Sequence, residues 1–179
     1  MNLAALLAER ACAAKSGSAQ PVRVGIIGAG KFGSMVLAQL RHLEGLHVVA
    51  VADLDVPKAR AALARVGWPE SQYQAHNIEA ALREGTTCVV EDAEQLIRCE
   101  QIHCIVEATG HPLAGTRHAL HAVENGKHVV MVNVEADVLC GPLIAERARQ
   151  NGVIYSMAYG DQPAIICELV DWAKACGFE

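Results

Sequence analysis

The chain has 179 residues, 52% hydrophobic and 4% aromatic, and its 15 Lys and Arg against 20 Asp and Glu give a formal net charge of −5. A domain of this size buries roughly 70% of the surface its unfolded chain exposes, so a core can form without disulfide or metal. Scattered cations on an acidic chain exclude the basic stripe that a nucleic acid needs, and the opening apolar run, 3–8, falls well short of the roughly 18 to 20 residues of a membrane span.

In chain order, residues 2–15 place Leu3, Leu6, Leu7 and Arg10 at helical spacing, and Ser16, Gly17 and Ser18 then break the pattern. We expect an accessory helix and linker over 1–20. From Val22 the pattern changes to short β-branched runs alternating with Ala-rich stretches of helical length. Strands are expected over 22–27, 47–52, 87–90, 104–108, 128–132 and 153–155. Helices are expected over 32–42, 57–66, 78–84, 92–99, 112–125, 142–150 and 162–176. Several open on Pro or an acidic residue, and Gly45, Gly67, Gly126 and Gly152 follow helical stretches as C-terminal breakers.

Nearly continuous apolar strands suit a parallel sheet covered on both faces. With right-handed crossovers, the expected fold is α/β, a doubly wound parallel sheet in three layers behind the accessory helix. The seven cysteines are an odd set with no Cys-x-x-Cys pair and sit among apolar neighbours. We read a reducing, cytoplasmic setting, with no signal peptide or transmembrane segment. No metal is expected: His118 and His121, three apart, read as a solvated helix face.

The most informative stretch is Gly28-Ala-Gly30-Lys31-Phe32-Gly33, a G-x-G-x-x-G between a strand and a helix. Gly28 allows the tight turn, Gly30 lets backbone approach a pyrophosphate, and Gly33 brings helix close to sheet. The amides of the helix start face the phosphates with the positive end of the dipole. Asp53 ends the next strand, 53 − 33 = 20 residues on, where a carboxylate accepts from ribose hydroxyls. Asp53 repels a 2′-phosphate while Lys58 and Arg60 could neutralise one, so the cofactor is written NAD(P).

A second glycine turn, Thr109-Gly110-His111, follows the fourth strand. Ligands of open α/β sheets lie where strand order reverses, so this turn should border the nicotinamide half. His111 is either a general acid or the cap of the helix at Pro112. Asn133 and Glu135 close the fifth strand at the same rim, as ligand-facing side chains.

Together, Gly-Ala-Gly-Lys-Phe-Gly at 28–33, Glu-Ala-Thr-Gly at 107–110, Gly-Lys-His-Val-Val at 126–130 and Tyr-Gly-Asp-Gln-Pro at 159–163 resemble the homoserine dehydrogenase-like branch of the Rossmann oxidoreductases. The Val-Asn-Val-Glu-Ala-Asp stretch at 132–137 and the accessory helix are most similar to its deoxyxylulose-phosphate reductoisomerase-like group. The resemblance implies an NAD(P)-binding domain over 21–160 and a substrate domain beginning at 161–179, with catalytic Asp and Lys supplied by that domain. One position departs from it: Val134 stands where homoserine dehydrogenases carry Lys.

The leading expectation is hydride transfer to or from a small carbonyl or hydroxyl substrate, in a homo-oligomer. A non-catalytic NAD(H)-binding regulatory module is the alternative. The dinucleotide spacing and the turn at Gly110 weigh against a third reading, an S-adenosylmethionine methyltransferase.

Overall fold

The computed structural model describes residues 2–158 and 162–178. Six strands, β1 (Val22–Ile27), β2 (Leu46–Ala52), β3 (Cys88–Val90), β4 (Cys104–Glu107), β5 (His128–Met131) and β6 (Tyr155–Met157), form one sheet in the order β3-β2-β1-β4-β5-β6. Every pairing is parallel. The doubly wound expectation holds, and the strand order reverses between β1 and β4.

The helices α1 (Leu3–Lys15), α2 (Lys31–Leu40), α3 (Val56–Arg65), α4 (Ile78–Glu84), α5 (Glu94–Arg98), α6 (Pro112–Glu124), α7 (Val134–Gln150) and α8 (Gln162–Ala175) complete the chain, with a short 3₁₀ turn at Glu70–Gln72. One core layer joins Val24 and Ile26 of β1 to Leu37 of α2 and Leu63 of α3. The opposite layer joins Ile105 of β4 to Leu96, Ile97, Ala119, Val123 and Ile144 of α5, α6 and α7. Each Leu or Ile so buried contributes about 1.5 to 3 kcal/mol, which fixes both helical layers to the sheet. Burial also pushes the Cys88 and Cys104 thiols up to about 11, so they pack as small hydrophobes rather than react.

The accessory helix α1 is capped by Asn2, whose Oδ1 accepts from Ala5 N at 3.1 Å. It lies against the turn before β2, where a Cβ on Gly45 would sit 3.0 Å from the Leu7 carbonyl. Only a residue without a side chain, at a φ of +87°, fits there.

Two expectations change. The sixth strand falls at Tyr155–Met157, beyond 153–155, because Val153 N turns back to Ala148 O at the end of α7. Helix α7 begins at Val134, eight residues before the expected 142, so Pro142 lies inside it. Pro142 costs one backbone hydrogen bond but does not start the helix. The start signal is Asn133, whose Oδ1 accepts from Ala136 N at 3.1 Å, followed by Glu135 and Asp137 in the first turn. Glu135 is therefore an exposed helix residue and not a strand-end side chain. No helix among the described residues is long and apolar enough to cross a membrane. Tyr159, Gly160 and Asp161, which hold the expected domain boundary and most of the 159–163 motif, lie outside the described residues.

Candidate functional site: a cleft at the point of strand reversal

Ile27 of β1 pairs with Glu107 of β4, so the turns that follow both strands leave the sheet side by side. Ala108 N donates to Ile27 O at 2.8 Å, and Gly28 N donates to Ala52 O at 2.8 Å. Above these ends opens a cleft of about 870 Å³, within the range of cofactor sites. The glycine loop, the end of β2, the stretch 91–95, the Thr109 turn and the first two turns of α6 line it.

The three glycines do three different jobs. Gly28 has φ +99° and lies so close to the second turn that a Cβ would fall 2.7 Å from Ala108 O. A Cβ on Gly33 would overlap the carbonyl oxygen of Gly28, so bare backbone packs α2 onto the loop. A Cβ on Gly30 would meet no atom within 4 Å. That glycine faces open space, and the absence of a side chain there leaves room for a ligand rather than for protein. Gly30 also caps α2, and no side chain satisfies the amides of the first turn. Free N–H groups at the positive end of a ten-residue helix, beside a bare backbone, fit a pyrophosphate.

Asp53 at the end of β2 holds this loop in place. Its Oδ2 accepts from Ala29 N at 2.7 Å and its Oδ1 from Asp55 N at 3.0 Å. Asp53, exposed Leu54 and Lys58 line the cleft together. The structure separates the two cations that the sequence left equal: Arg60 turns away, its guanidinium donating to Tyr73 O at 3.1 Å, while Lys58 stays on the wall.

With that geometry in view, residues 22–132 match the GFO/IDH/MocA family, described as an oxidoreductase family with an NAD-binding Rossmann fold. The chain belongs to this family. A curated relative, glycosyl hydrolase family 109 protein 2 of Phocaeicola vulgatus, is 29% identical over 113 residues, which cover 62% of this chain and 24% of the relative. The chain thus spans about a quarter of that protein's length. A homoserine dehydrogenase from Thiobacillus denitrificans superposes with a TM-score of 0.60 at 23% identity, covering 76% of this chain and 29% of that one. An NAD binding oxidoreductase from Klebsiella pneumoniae gives 0.57 at 20% identity, covering 88% and 39%. At these identities the two structures speak for the fold alone.

As a GFO/IDH/MocA domain the chain binds NAD(P), and the remaining expected residues can be placed around that cleft. Thr109 and His111 line it, and exposed Gly110 turns between them at φ +70°. His111 is the cap of α6, its Nδ1 accepting from Ala114 N at 3.3 Å, so of its two readings the cap is the one seen. Lys31 and Phe32 are exposed at the start of α2 and lie outside the cleft lining. Asn133 is buried, and its Nδ2 donates to His111 O at 3.1 Å and to Thr109 Oγ1 at 3.3 Å. It steadies the second glycine turn from behind and lies outside the cleft lining. Glu135, exposed on α7, is also away from the cleft lining.

Two residues escaped the sequence reading. Glu107, quoted there only as part of a motif, is fully buried at the end of β4 and accepts from Thr109 Oγ1 at 2.6 Å. His118, read there as a solvated helix residue, lines the cleft with its Nδ1 3.3 Å from Glu107 Oε1. The spacing from Gly110 to His118 places that histidine two turns into α6, but only the register of β4 against α6 brings Glu107 to it.

Proposed function

We propose that this chain is the cofactor-binding part of an NAD(P)-dependent dehydrogenase of the homoserine dehydrogenase-like or deoxyxylulose-phosphate reductoisomerase-like kind. The observation that carries the reading is the open space at Gly30 beside the uncapped start of α2, together with Asp53 on the same cleft wall. In this reading the amides after Gly30 hold the pyrophosphate, Asp53 meets the adenosine ribose, and the Thr109–His111 turn borders the nicotinamide. A bound nicotinamide gives or takes the hydride. The chain's own residues bind and orient it, and a small carbonyl or hydroxyl compound is the substrate.

Asp53 and Asp55, together at the end of β2, disfavour a 2′-phosphate by like charge, and Lys58 alone opposes them. We therefore favour NAD over NADP. One position supports a second reading, an NAD(H)-binding module that does not catalyse: Val134, which stands where the resemblance expects Lys, opens α7. Titration with NADH, followed by its enhanced emission, tests binding, and turnover of an aldehyde or ketone panel separates the two readings. Saturable NADH binding is expected of this chain, with turnover only where the substrate domain that the resemblance implies is joined to it; absence of saturable binding overturns both.

A further inference from the structure

Burial of a carboxylate is costly unless its charge and lone pairs are matched, so a fully buried glutamate at the ligand end of a central strand needs a reason. Glu107 is 0% exposed. Its Oε1 takes Thr109 Oγ1 at 2.6 Å and His118 Nδ1 at 3.3 Å, whereas Oε2 has no hydrogen-bond partner. Room for that second oxygen exists because residue 115 is glycine: a Cβ there would fall 2.9 Å from Oε2. Tying α6 to β4 would not require a charged group. An apolar side chain in the space that Gly115 leaves would do it with no desolvation cost.

His118 supplies the other half. Its side chain is 18% exposed, it lines the cleft, and among the described residues only Nδ1 is hydrogen-bonded. The carboxylate fixes the ring through Nδ1–H, and Nε2 is left for whatever occupies the cleft, the logic by which a buried acid orients a histidine in many sites. In its protonated form the imidazole matches the Glu107 charge and makes Nε2–H a charged donor, about twice as strong toward an anionic oxygen as a neutral one.

We propose that Glu107 and His118 form a carboxylate–imidazolium pair of the cleft whose Nε2–H donates to an oxygen of the bound dinucleotide, with Glu107 as the positioning residue. The proposal rests on the NAD(P)-binding reading and adds that binding is linked to a proton on His118. Charged and titratable groups face the pair from several elements. They are Glu91 and Asp92 before α5, Glu94 of α5, Asp53 and Lys58 across the cleft, His111, Arg117 and His121 on α6 itself, and, behind Glu107, Tyr155 of β6 with its partner Asp137 of α7. Glu94 is already engaged by His121 at 2.8 Å and Arg98 at 3.5 Å, which leaves Glu107 as the partner within hydrogen-bond reach of His118.

The test is NADH titration of the full chain between pH 6.5 and 9.0, in wild type, His118→Gln, Glu107→Gln and His42→Gln, with thermal melts to establish folding. Wild-type affinity should weaken by about tenfold across that range, the scale of one charged hydrogen bond. His118→Gln and Glu107→Gln should bind more weakly at pH 6.5 and give flat profiles, while His42→Gln, exposed and away from the cleft lining, keeps the slope. Should Glu107→Gln fail to fold, His118→Gln, whose ring sits at the cleft wall, carries the test alone. A wild-type profile that is flat, or a slope that survives in His118→Gln, overturns the proposal while leaving cofactor binding intact. Absence of NADH binding at every pH overturns the binding reading as well.

Discussion

Replacing Gly30 with valine should abolish cofactor binding while sparing the fold. The substituted Cβ meets no protein atom within 4 Å, and the φ of −66° at Gly30 is outside the left-handed region that favours glycine. What the two methyl groups fill is the space beside the free amides of α2. Losing two charge-assisted N–H contacts to phosphate, each about 1.5 to 3 kcal/mol, weakens binding on the order of 10²- to 10⁴-fold. Gly33→Ala is the informative contrast: its methyl would overlap the Gly28 carbonyl oxygen, so overpacking of about 1 to 3 kcal/mol falls on the fold itself and lowers Tm by several degrees. NADH fluorescence titration and thermal melting of both variants read the two effects separately. Near wild-type affinity in a folded Gly30→Val protein would refute the assigned role of the loop, as would a Tm loss matching that of Gly33→Ala.

Asp53→Ala removes the acceptor that holds the glycine loop through Ala29 N, at 2.7 Å, and the acceptor of Asp55 N in its own turn, at 3.0 Å, so both cofactors should weaken. NADH should lose more than NADPH because like-charge repulsion of the 2′-phosphate goes too; parallel titrations giving equal losses would show that Asp53 does not discriminate. Acid should destabilise the chain through two histidines at the sheet's lower edge: burial holds His47 and His103 below the ordinary histidine value, and His103 Nδ1 accepts from Arg23 N at 3.1 Å. The unfolded chain therefore takes up protons first, so this contribution is complete above the ordinary value of about 6.5 and is lost as pH falls through the folded values; denaturant midpoints at pH 7.5 and 5.5 that coincide would contradict it. The exposed face of α8, with Ile166, Leu169 and Trp172 each more than half exposed, should drive concentration-dependent self-association that Leu169→Glu suppresses. Light scattering showing a monomer at every concentration would dismiss that expectation.

The glycine loop was legible because each of its constraints is local: a strand of β-branched residues, a turn that needs φ of +99° at Gly28, and a helix that begins at once. Strand count and the doubly wound class followed from the alternation of elements with the right-handed crossover rule. The start of α7 was not legible because two signals competed. Pro142 is a strong local marker of a first helical turn, while Asn133 with Glu135 and Asp137 is a cap and acidic first turn that the apolar strand residues before it disguise. Asn133 was accordingly read as ligand-facing, when its side chain is spent on Ala136, Thr109 and His111. The Glu107–His118 pair was invisible for a different reason: its members are eleven residues apart on a strand and a helix, and only packing decides that they meet.

The most direct test of the account is an amide chemical-shift titration of the isotopically labelled chain with NADH. Saturable shifts should concentrate at residues 28–33, at Asp53 and Leu54, and at the Thr109–His111 turn, and be small along α1 and the lower edge of the sheet. Shifts that do not saturate, or that gather away from the β1 and β4 ends, would contradict the placement of the cofactor in this cleft.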